Sequence, residues 1–225
     1  MNSRILLTLI LSVFTYSSFA YENEFALKAG ASVAYSHLKY IDHSEDNAGG
    51  VGFNTNFGYR FKSFEFNLTS FTAFGEMEKL TYQIGNTRVD GEGSFNHASF
   101  GPTLRYYFDV RPNTKWQWYI AIGPVWSINT FKLEEFTVQS GTYKSQYRYS
   151  YNSRGWMFTL GLEEALISKS LNPAYIELLI AYQTAYQVAL LDNSDFKQVL
   201  TLESDSVRTN IYTTTVMINI GLMVF

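Results

Sequence analysis

The sequence predicts an all-β protein that folds as an eight-stranded antiparallel up-and-down transmembrane β-barrel. Three observations support this prediction. Apolar and polar residues alternate with a period of two in separate segments, which is the side-chain period of a β-strand. Aromatic residues make up 17% of the chain and charged residues only 16%, against about 25% charged residues in ordinary domains. The connections between the segments alternate between short and long, as they do in membrane barrels.

The first 20 residues predict a cleaved export signal. Arg4 is followed by an apolar run, residues 5–14, and then by small and polar residues that end at Ala20. The apolar run is too short to span a membrane as a helix, which takes about 20 residues. We therefore expect a signal peptide, residues 1–20, cleaved after Ala20, and an exported barrel domain, residues 21–225.

The first four strands are predicted from the parity of their apolar residues. They cover residues 25–36, 51–61, 64–74 and 97–108. In the second strand, VGFNTNFGYRF, every odd position except Thr55 is apolar or aromatic, and every even position is Gly, Asn or Arg. The third strand follows the second after only Lys62 and Ser63, so the two form a hairpin.

The last four strands follow the same alternation. They cover residues 116–126, 156–163, 175–188 and 211–224. The segment DVRPNTK, residues 109–115, joins the fourth strand to the fifth, and ISKSLN, residues 167–172, joins the sixth to the seventh. Each strand has about the 9 to 11 residues that a tilted membrane strand requires.

The connections predict the orientation of the barrel. Three are short turns, and four are long polar loops at residues 41–48, 75–94, 128–152 and 190–209. Barrels of the bacterial outer membrane have short periplasmic turns and long extracellular loops. The alternative is a secreted β-sandwich, which has no reason for this regular alternation and whose polar face would carry more Lys, Glu and Thr. Here the polar face is mostly Gly, Ala, Ser and Asn.

The polar face also carries a balanced set of charges. Its three cations and three anions are Lys28, Arg60, Arg105, Glu65, Glu163 and Glu177. Inside a closed barrel these side chains would form a desolvated polar network. The apolar face then points outward to lipid, with aromatic residues near the strand ends as interfacial girdles.

Several segments are typical of one class of membrane barrel. They are GPTLRYYF at residues 101–108, the Gly- and Ala-rich FALKAGASVAY at residues 25–35, and the terminal Phe225. Over nearly all of its mature length the chain resembles the small eight-stranded outer-membrane β-barrel family of Gram-negative bacteria. The resemblance implies a location in the cell outer membrane, contact with outer-membrane lipid, and recognition of the C-terminal strand by the barrel assembly machinery.

An eight-stranded barrel is just wide enough for side chains to fill it. We therefore expect a structural and surface-interaction protein with a plugged lumen, and not an enzyme. Its contacts with an extracellular protein or other surface ligand would come from a hairpin-like loop, FTVQSGTYKSQYRYSY. Tyrosine is a favoured contact residue, and the candidates in this loop are Tyr143, Tyr147, Tyr149 and Tyr151.

Two other functions remain open from the sequence. The Gly and Ala residues of the inner face leave room for a narrow channel for small or hydrophobic solutes. A lipid-modifying enzyme is the other, because His97 and Ser99 resemble the His and Ser, two apart on one strand, of outer-membrane lipid deacylases. By parity, however, both face the lumen, and the inner face of the fifth strand beside them carries no acid, so we expect a packed polar pair.

The composition argues against other partners. The chain has no cysteine, and its net charge of -3 provides no basic surface for nucleic acid. The first loop region combines histidines and acids that we expect to be solvated and not metal-bound: His37, His43, Asp42, Glu45 and Asp46. Neither the GG at Gly49 nor the GEG at Gly91 has the context of a phosphate loop, so we expect no cofactor.

Overall fold

The computed structural model describes residues 24–39, 45–84, 87–108, 115–138, 141–143, 147–164, 173–191 and 211–223. Within these residues nine strands form one antiparallel sheet. They are β1 (Glu24–Lys39), β2 (Glu45–Phe61), β3 (Phe64–Ile84), β4 (Thr87–Tyr107), β5 (Trp116–Val138), β6 (Gly141–Tyr143), β7 (Tyr147–Glu164), β8 (Ala174–Leu191) and β9 (Tyr212–Met223). No helix long and apolar enough to cross a membrane occurs in this part of the chain.

Eight of the strands close into a barrel. Each pairs with its neighbour in sequence, β5 pairs with β7, and β1 pairs with β9 to close the sheet. The short β6 pairs only with the end of β5 and lies outside the barrel. The predicted fold class, an eight-stranded antiparallel up-and-down barrel, is confirmed.

The register fixes the slant of the strands. Directly opposed residues lead once around the barrel from Ser153 through Ser127, Ser99, Phe71, Asn54, Gly30, Gly221 and Tyr175 to Glu163. The path returns to β7 ten residues from its start, because 163 − 153 = 10. A stagger of this kind accompanies a strand tilt of about 35–45°.

The two faces of the sheet are the reverse of those in a soluble domain. Along β2, for example, Phe53 points outward and is 65% exposed, whereas Asn54 points into the lumen and is 1% exposed. Outward-facing apolar residues recur on every barrel strand, and such a surface is suited to lipid and not to water.

The β2–β3 hairpin is confirmed as predicted. Phe61 is directly opposed to Phe64, and Lys62 adopts a left-handed backbone with φ 55° to complete the tight turn. This hairpin defines what we call the turn end of the barrel, where β4 and β7 also end and β5 and β8 begin; the opposite end is the loop end.

Two of the predicted long loops are instead mostly strand. The segment 75–94 contributes to both β3 and β4, and the segment 128–152 contributes to β5, β6 and β7. Sequence alternation marks a strand where one of its faces is in an apolar environment and the other is not. Past the barrel the strands continue without an apolar row, because their backbones remain paired with each other. Residues 1–23, 192–210 and Phe225 lie outside the described part of the chain.

Candidate functional site

The six predicted lumen residues lie together at the turn end of the barrel. Each is on the inward parity of its strand and none is more than 2% exposed. They come from six different strands and are Lys28 on β1, Arg60 on β2, Glu65 on β3, Arg105 on β4, Glu163 on β7 and Glu177 on β8. We call this set the charged layer.

Glu163 is the centre of the charged layer. Its Oε2 lies 2.6 Å from Lys28 Nζ, and its Oε1 lies 3.2 Å from Arg60 Nη1. Arg105 Nη1 is 3.6 Å from the same carboxylate. One carboxylate therefore ties together three strands that are not its neighbours in the sheet.

The other two carboxylates complete the network. Glu65 lies 3.3 Å from Lys28 Nζ and 3.4 Å from Arg105 Nη1. Glu177 Oε2 lies 3.5 Å from Arg105 Nη2 and its Oε1 accepts a 2.9 Å hydrogen bond from Asn219 Nδ2. Every carboxylate of the layer thus has a cation within 4 Å, as buried charges require.

Two tyrosines belong to the charged layer and were not predicted as site residues. Tyr107 donates a 2.5 Å hydrogen bond to Glu65 Oε2, and Tyr119 donates a 2.8 Å bond to Glu177 Oε2. The only sequence signal was parity, because each tyrosine shares the inward face of its strand with a charged or polar residue.

The same tyrosines stack on the arginines. The guanidinium carbon of Arg60 lies 3.7 Å from the centre of the Tyr107 ring, and that of Arg105 lies 4.1 Å from the centre of the Tyr119 ring. These rings add cation–π contacts to the ion pairs and fill the space between them.

An apolar layer follows the charged layer toward the loop end. Its inward-facing members are Ala34, Phe71, Ala73, Val125, Met157, Leu179, Ala181 and Met217, and all are buried. A row of this kind gives an ion no hydrogen-bonding partner. It lies in series with the charged layer along the barrel axis.

Glycines of the inner face do not leave open space at the positions where large side chains lie opposite. A Cβ on Gly161 would lie 2.0 Å from Tyr119 Cζ, and one on Gly58 would lie 2.1 Å from Asn67 Oδ1. At Gly101 the methyl group of Met157 would be 2.9 Å away. These side chains occupy the gaps on which the channel hypothesis depends.

A polar layer lies on the loop-end side of the apolar layer and contains His97. His97 Nδ1 lies 2.5 Å from Asn129 Oδ1, and His97 Nε2 lies 2.5 Å from the Ser99 hydroxyl. Because an amide oxygen only accepts, Nδ1 carries the proton and Nε2 accepts from Ser99. Asn129 in turn donates at 3.3 Å to both Ser127 and Ser153.

The Ser99, His97 and Asn129 chain has the order of a nucleophile, a base and an orienting group. Sequence reasoning missed Asn129 because it fell in a predicted loop, although its inward parity continues that of β5. All three side chains are buried inside the lumen. This hydrogen-bonded chain of three side chains can hold a proton. A substrate, however, could reach it only by passing the residues that cover it at the loop end.

Those residues form a cap at the loop end. The cap consists of the buried, inward-facing Leu38, Phe95, Phe131, Tyr151 and Ile211. Phe131 packs between Phe95, with ring centres 5.0 Å apart, and Tyr151, at 5.8 Å.

Tyr151 was predicted as a surface contact, and the structure corrects this. Its ring is fully buried, and its hydroxyl lies 3.0 Å from the Thr213 hydroxyl inside the barrel. The physical reason is that β7 begins at Tyr147, so Tyr151 lies within a barrel strand and shares the inward face of Ser153. The positions of Tyr143, Tyr147 and Tyr149 lie on β6 and β7 at the loop end.

The strands continue beyond the barrel as what we call the loop-end sheet. It consists of residues 77–84 of β3, 87–93 of β4, 133–138 of β5, and β6. The pairing of β2 with β3 stops at Glu76, so β3 runs eight residues further (84 − 76) with β4 as its only neighbour among the described strands. Within the described part of the chain, residues 77–84 therefore form an edge.

The first loop region brings few of its predicted polar residues together. His37 Nδ1 lies 2.9 Å from Asn47 Oδ1, and His37 Nε2 lies 3.8 Å from Glu45. Asp46 is buried on the inner face of β2. His43 and Asp42 lie outside the described residues, and within the described ones no group of three metal-ligating side chains was found.

Comparison with known proteins relates the fold to that of solved structures. No sequence profile of a known protein family matches the chain, and no curated protein matches its sequence. The outer membrane protein OprG from Pseudomonas aeruginosa is similar with a TM-score of 0.50 and 14% identity, over 89% of this chain and 94% of that one. The chain has the fold of a small outer-membrane β-barrel.

Two further solved structures resemble this barrel less closely. Neisserial surface protein A gives a TM-score of 0.48 at 15% identity, over 89% of this chain and 98% of that one. The outer membrane protease OmpT from Escherichia coli gives 0.49 at 8% identity, over 92% and 97%.

Proposed function

We propose that this protein is an integral barrel of the cell outer membrane that binds a partner outside the cell through the edge of its loop-end sheet. The observation that carries the proposal is the edge at residues 77–84, eight residues long. An edge strand has free backbone N–H and C=O groups on one side. Such edges bind extended segments of other proteins by adding them as a further strand.

The outward apolar face supports the membrane location. Lipid is the partner that this face fits, and its aromatic ends fit the two interfaces. In this proposal the turn end lies in the periplasm and the loop-end sheet outside the cell. Residues 1–20 serve as the export signal, and the C-terminal strand, ending at Phe225, is recognised by the barrel assembly machinery.

The layers of the lumen support a plugged barrel instead of a channel. A solute would have to pass the cap, the polar layer, the apolar layer and the charged layer in turn. The role of Lys28, Arg60 and Arg105 with their carboxylates is then structural: they hold strands together that do not pair directly.

The burial of Ser99 supports the part of the proposal that the protein is not an enzyme. Its hydroxyl lies between the cap and the apolar layer, and an acyl substrate needs open access to a nucleophile. Labelling of Ser99 in the folded protein by a fluorophosphonate, lost in Ser99→Ala, would contradict this part of the proposal.

Single-cysteine variants test the binding edge, because the chain has no cysteine of its own. Thr81→Cys places a thiol on the edge strand, and Lys62→Cys places one in the β2–β3 turn as the matched control. Intact cells displaying each variant are treated with a bulky, membrane-impermeant maleimide, and adhesion to immobilised extracellular matrix proteins and cultured cells is measured.

We expect labelling at position 81 only, with loss of adhesion, and neither effect at position 62. Labelling at position 62 would show that the turn end, and not the loop-end sheet, faces the outside of the cell. Complete labelling at position 81 with unchanged adhesion would show that the edge is not the binding surface.

A further inference from the structure

We propose that Arg154 is the centre of a site on the outer surface of the barrel that binds the phosphate of an anionic lipid headgroup. The site lies at the loop end of the lipid-facing surface, on β5, β7, β8 and β9. It rests on the membrane location proposed above and does not depend on the binding edge.

Arg154 is a cation on the outward face of β7 that the barrel itself does not neutralise. Its side chain is exposed, and among the described residues its guanidinium has no hydrogen bond and no ion pair. By contrast, the outward-facing Lys39 lies 3.5 Å from Glu45. Lys115 likewise lies 4.0 Å from Glu164. A cation without a partner is unfavourable beside hydrocarbon, so we expect an anion from the surroundings to neutralise Arg154.

The position of Arg154 along β7 places it at the border of the apolar band. Glu164, at the turn end of the same strand, is the next charged residue on the outward face, and four apolar side chains lie between the two: Trp156, Phe158, Leu160 and Leu162. Ten residues (164 − 154) of a strand tilted by about 35–45° rise roughly 25 Å along the barrel axis. The apolar band of such barrels is about 25 Å tall. Arg154 therefore lies at the depth of lipid headgroups, whose phosphates are anions within its reach.

A β-bulge directs a tyrosine ring toward Arg154. The pairing of β7 with β8 shifts by one residue at Tyr186, which has no opposed residue on β7. The centre of the Tyr186 ring lies 5.7 Å from the guanidinium carbon of Arg154. Bulges re-aim side chains, and a ring at this distance holds the guanidinium by a cation–π contact while its N–H groups can still donate to an anion.

The neighbouring strands provide the rest of the site. Arg154 is directly opposed to Trp126 on β5 and to Thr184 on β8, and Thr184 is opposed to Tyr212 on β9. All four residues have outward parity, and none is acidic, so this row contains nothing that repels an anion. The hydroxyl groups of Thr184 and Tyr212 can donate hydrogen bonds to the same phosphate as the planar fork of Arg154.

Tryptophan fluorescence tests the site, because Trp126 is opposed to Arg154 and Trp156 is its outward neighbour on β7. The full mature barrel with Trp116→Phe and Trp118→Phe keeps only these two of its four tryptophans. It is refolded into phosphatidylcholine vesicles that contain phosphatidic acid, with brominated, quenching acyl chains on one lipid or on the other. We expect about a fivefold preference for phosphatidic acid beside the two tryptophans, the effect of one cation near an anionic surface.

Arg154→Gln is expected to abolish that preference. Lys62→Gln is the matched control, because Lys62 is also exposed and also lies over an aromatic ring, that of Phe61 at 5.4 Å, but at the turn end. It removes the same charge and should leave the preference unchanged. An excess of inorganic phosphate should not displace the lipid, because the acyl chains hold the headgroup at the site.

The outcomes separate this site from the proposed function. No preference in the parent, an unchanged preference in Arg154→Gln, or its loss in Lys62→Gln overturns the site in a barrel that still inserts. Displacement by inorganic phosphate would show that a soluble anion is the ligand and would overturn the lipid. Failure of the parent to insert into the vesicles would contradict the membrane location itself, and the site with it.

Discussion

Lys28 and Glu163 lie 135 residues apart in the chain, and their Nζ and Oε2 atoms meet at 2.6 Å inside the lumen. The strands that carry them, β1 and β7, do not pair with each other, because β8 and β9 lie between them in the sheet. The ion pair can therefore form only once the barrel has closed. It reports directly on closure.

Glu163→Gln is expected to destabilise the barrel strongly. It leaves Lys28 and Arg60 buried with less counter-charge, and breaking a buried ion pair from one side costs about 3–5 kcal/mol. The free energy of unfolding in urea, measured in lipid vesicles, gives the effect.

Glu164→Gln is the matched control for that variant. Glu164 is the next residue, and its carboxylate lies 4.0 Å from the exposed Lys115 and accepts a 3.5 Å hydrogen bond from the Ala174 N–H. Glutamine keeps the acceptor oxygen and loses only the ion pair with an exposed lysine, so the change is expected to stay within about 1 kcal/mol. Equal effects of the two substitutions would show that the charged layer does not stabilise the closed barrel.

Gly161→Ala tests whether Tyr119 fills the lumen. The new methyl group would lie 2.0 Å from Tyr119 Cζ, and the ring cannot move freely because it stacks on Arg105 and bonds to Glu177. Overpacking of this kind costs roughly 1–3 kcal/mol, and Tyr119→Leu in the same chain should relieve it. Gly49→Ala is the control, because nothing lies within 4 Å of its Cβ; equal unfolding midpoints for the two alanine variants would contradict the packing.

A charge on the outward face tests which solvent that face meets. Ile218 is half exposed and lies between the outward Val216 and Ile220 of β9. Ile218→Arg should cost about 2–4 kcal/mol in a bilayer if it lies near the midplane. Phe108→Arg, at the turn end of β4, is the control and should cost only about 0–1 kcal/mol. Unfolding in vesicles of defined thickness measures both, and similar small values would argue against lipid contact along β9.

The parity of the strands was predictable from the sequence because lipid contact imposes it. Inside the membrane every second side chain has to be apolar, so the inward positions of Lys28 and Glu163 follow from counting. Their pairing does not follow, because it depends on the stagger of ten residues by which the sheet closes on itself. No local pattern in the sequence records that number.

The sequence prediction misplaced two residues, Asn129 and Tyr151, because it depended on the apolar row that lipid contact imposes. Both residues fell in the predicted loop 128–152, where polar residues interrupt that row. The strands nevertheless continue with their inward parity intact, which places Asn129 against His97 and Tyr151 in the cap. Extending the parity through Ser127 and Ser153 would have predicted both positions.

Single-channel recording in a planar bilayer tests the plugged lumen as a whole. The refolded mature protein, with its folding established by heat-dependent gel mobility, is expected to give no discrete conductance steps. The apolar layer and the charged layer lie in series, so Arg105→Ser, which disrupts only the charged layer, is expected to remain silent as well. Met157→Ala opens only the apolar layer and should also stay closed. Discrete steps from the unmodified protein would show that the barrel is a narrow channel and not plugged. Lys28, Arg60 and Arg105 would then be the residues that set its ion selectivity.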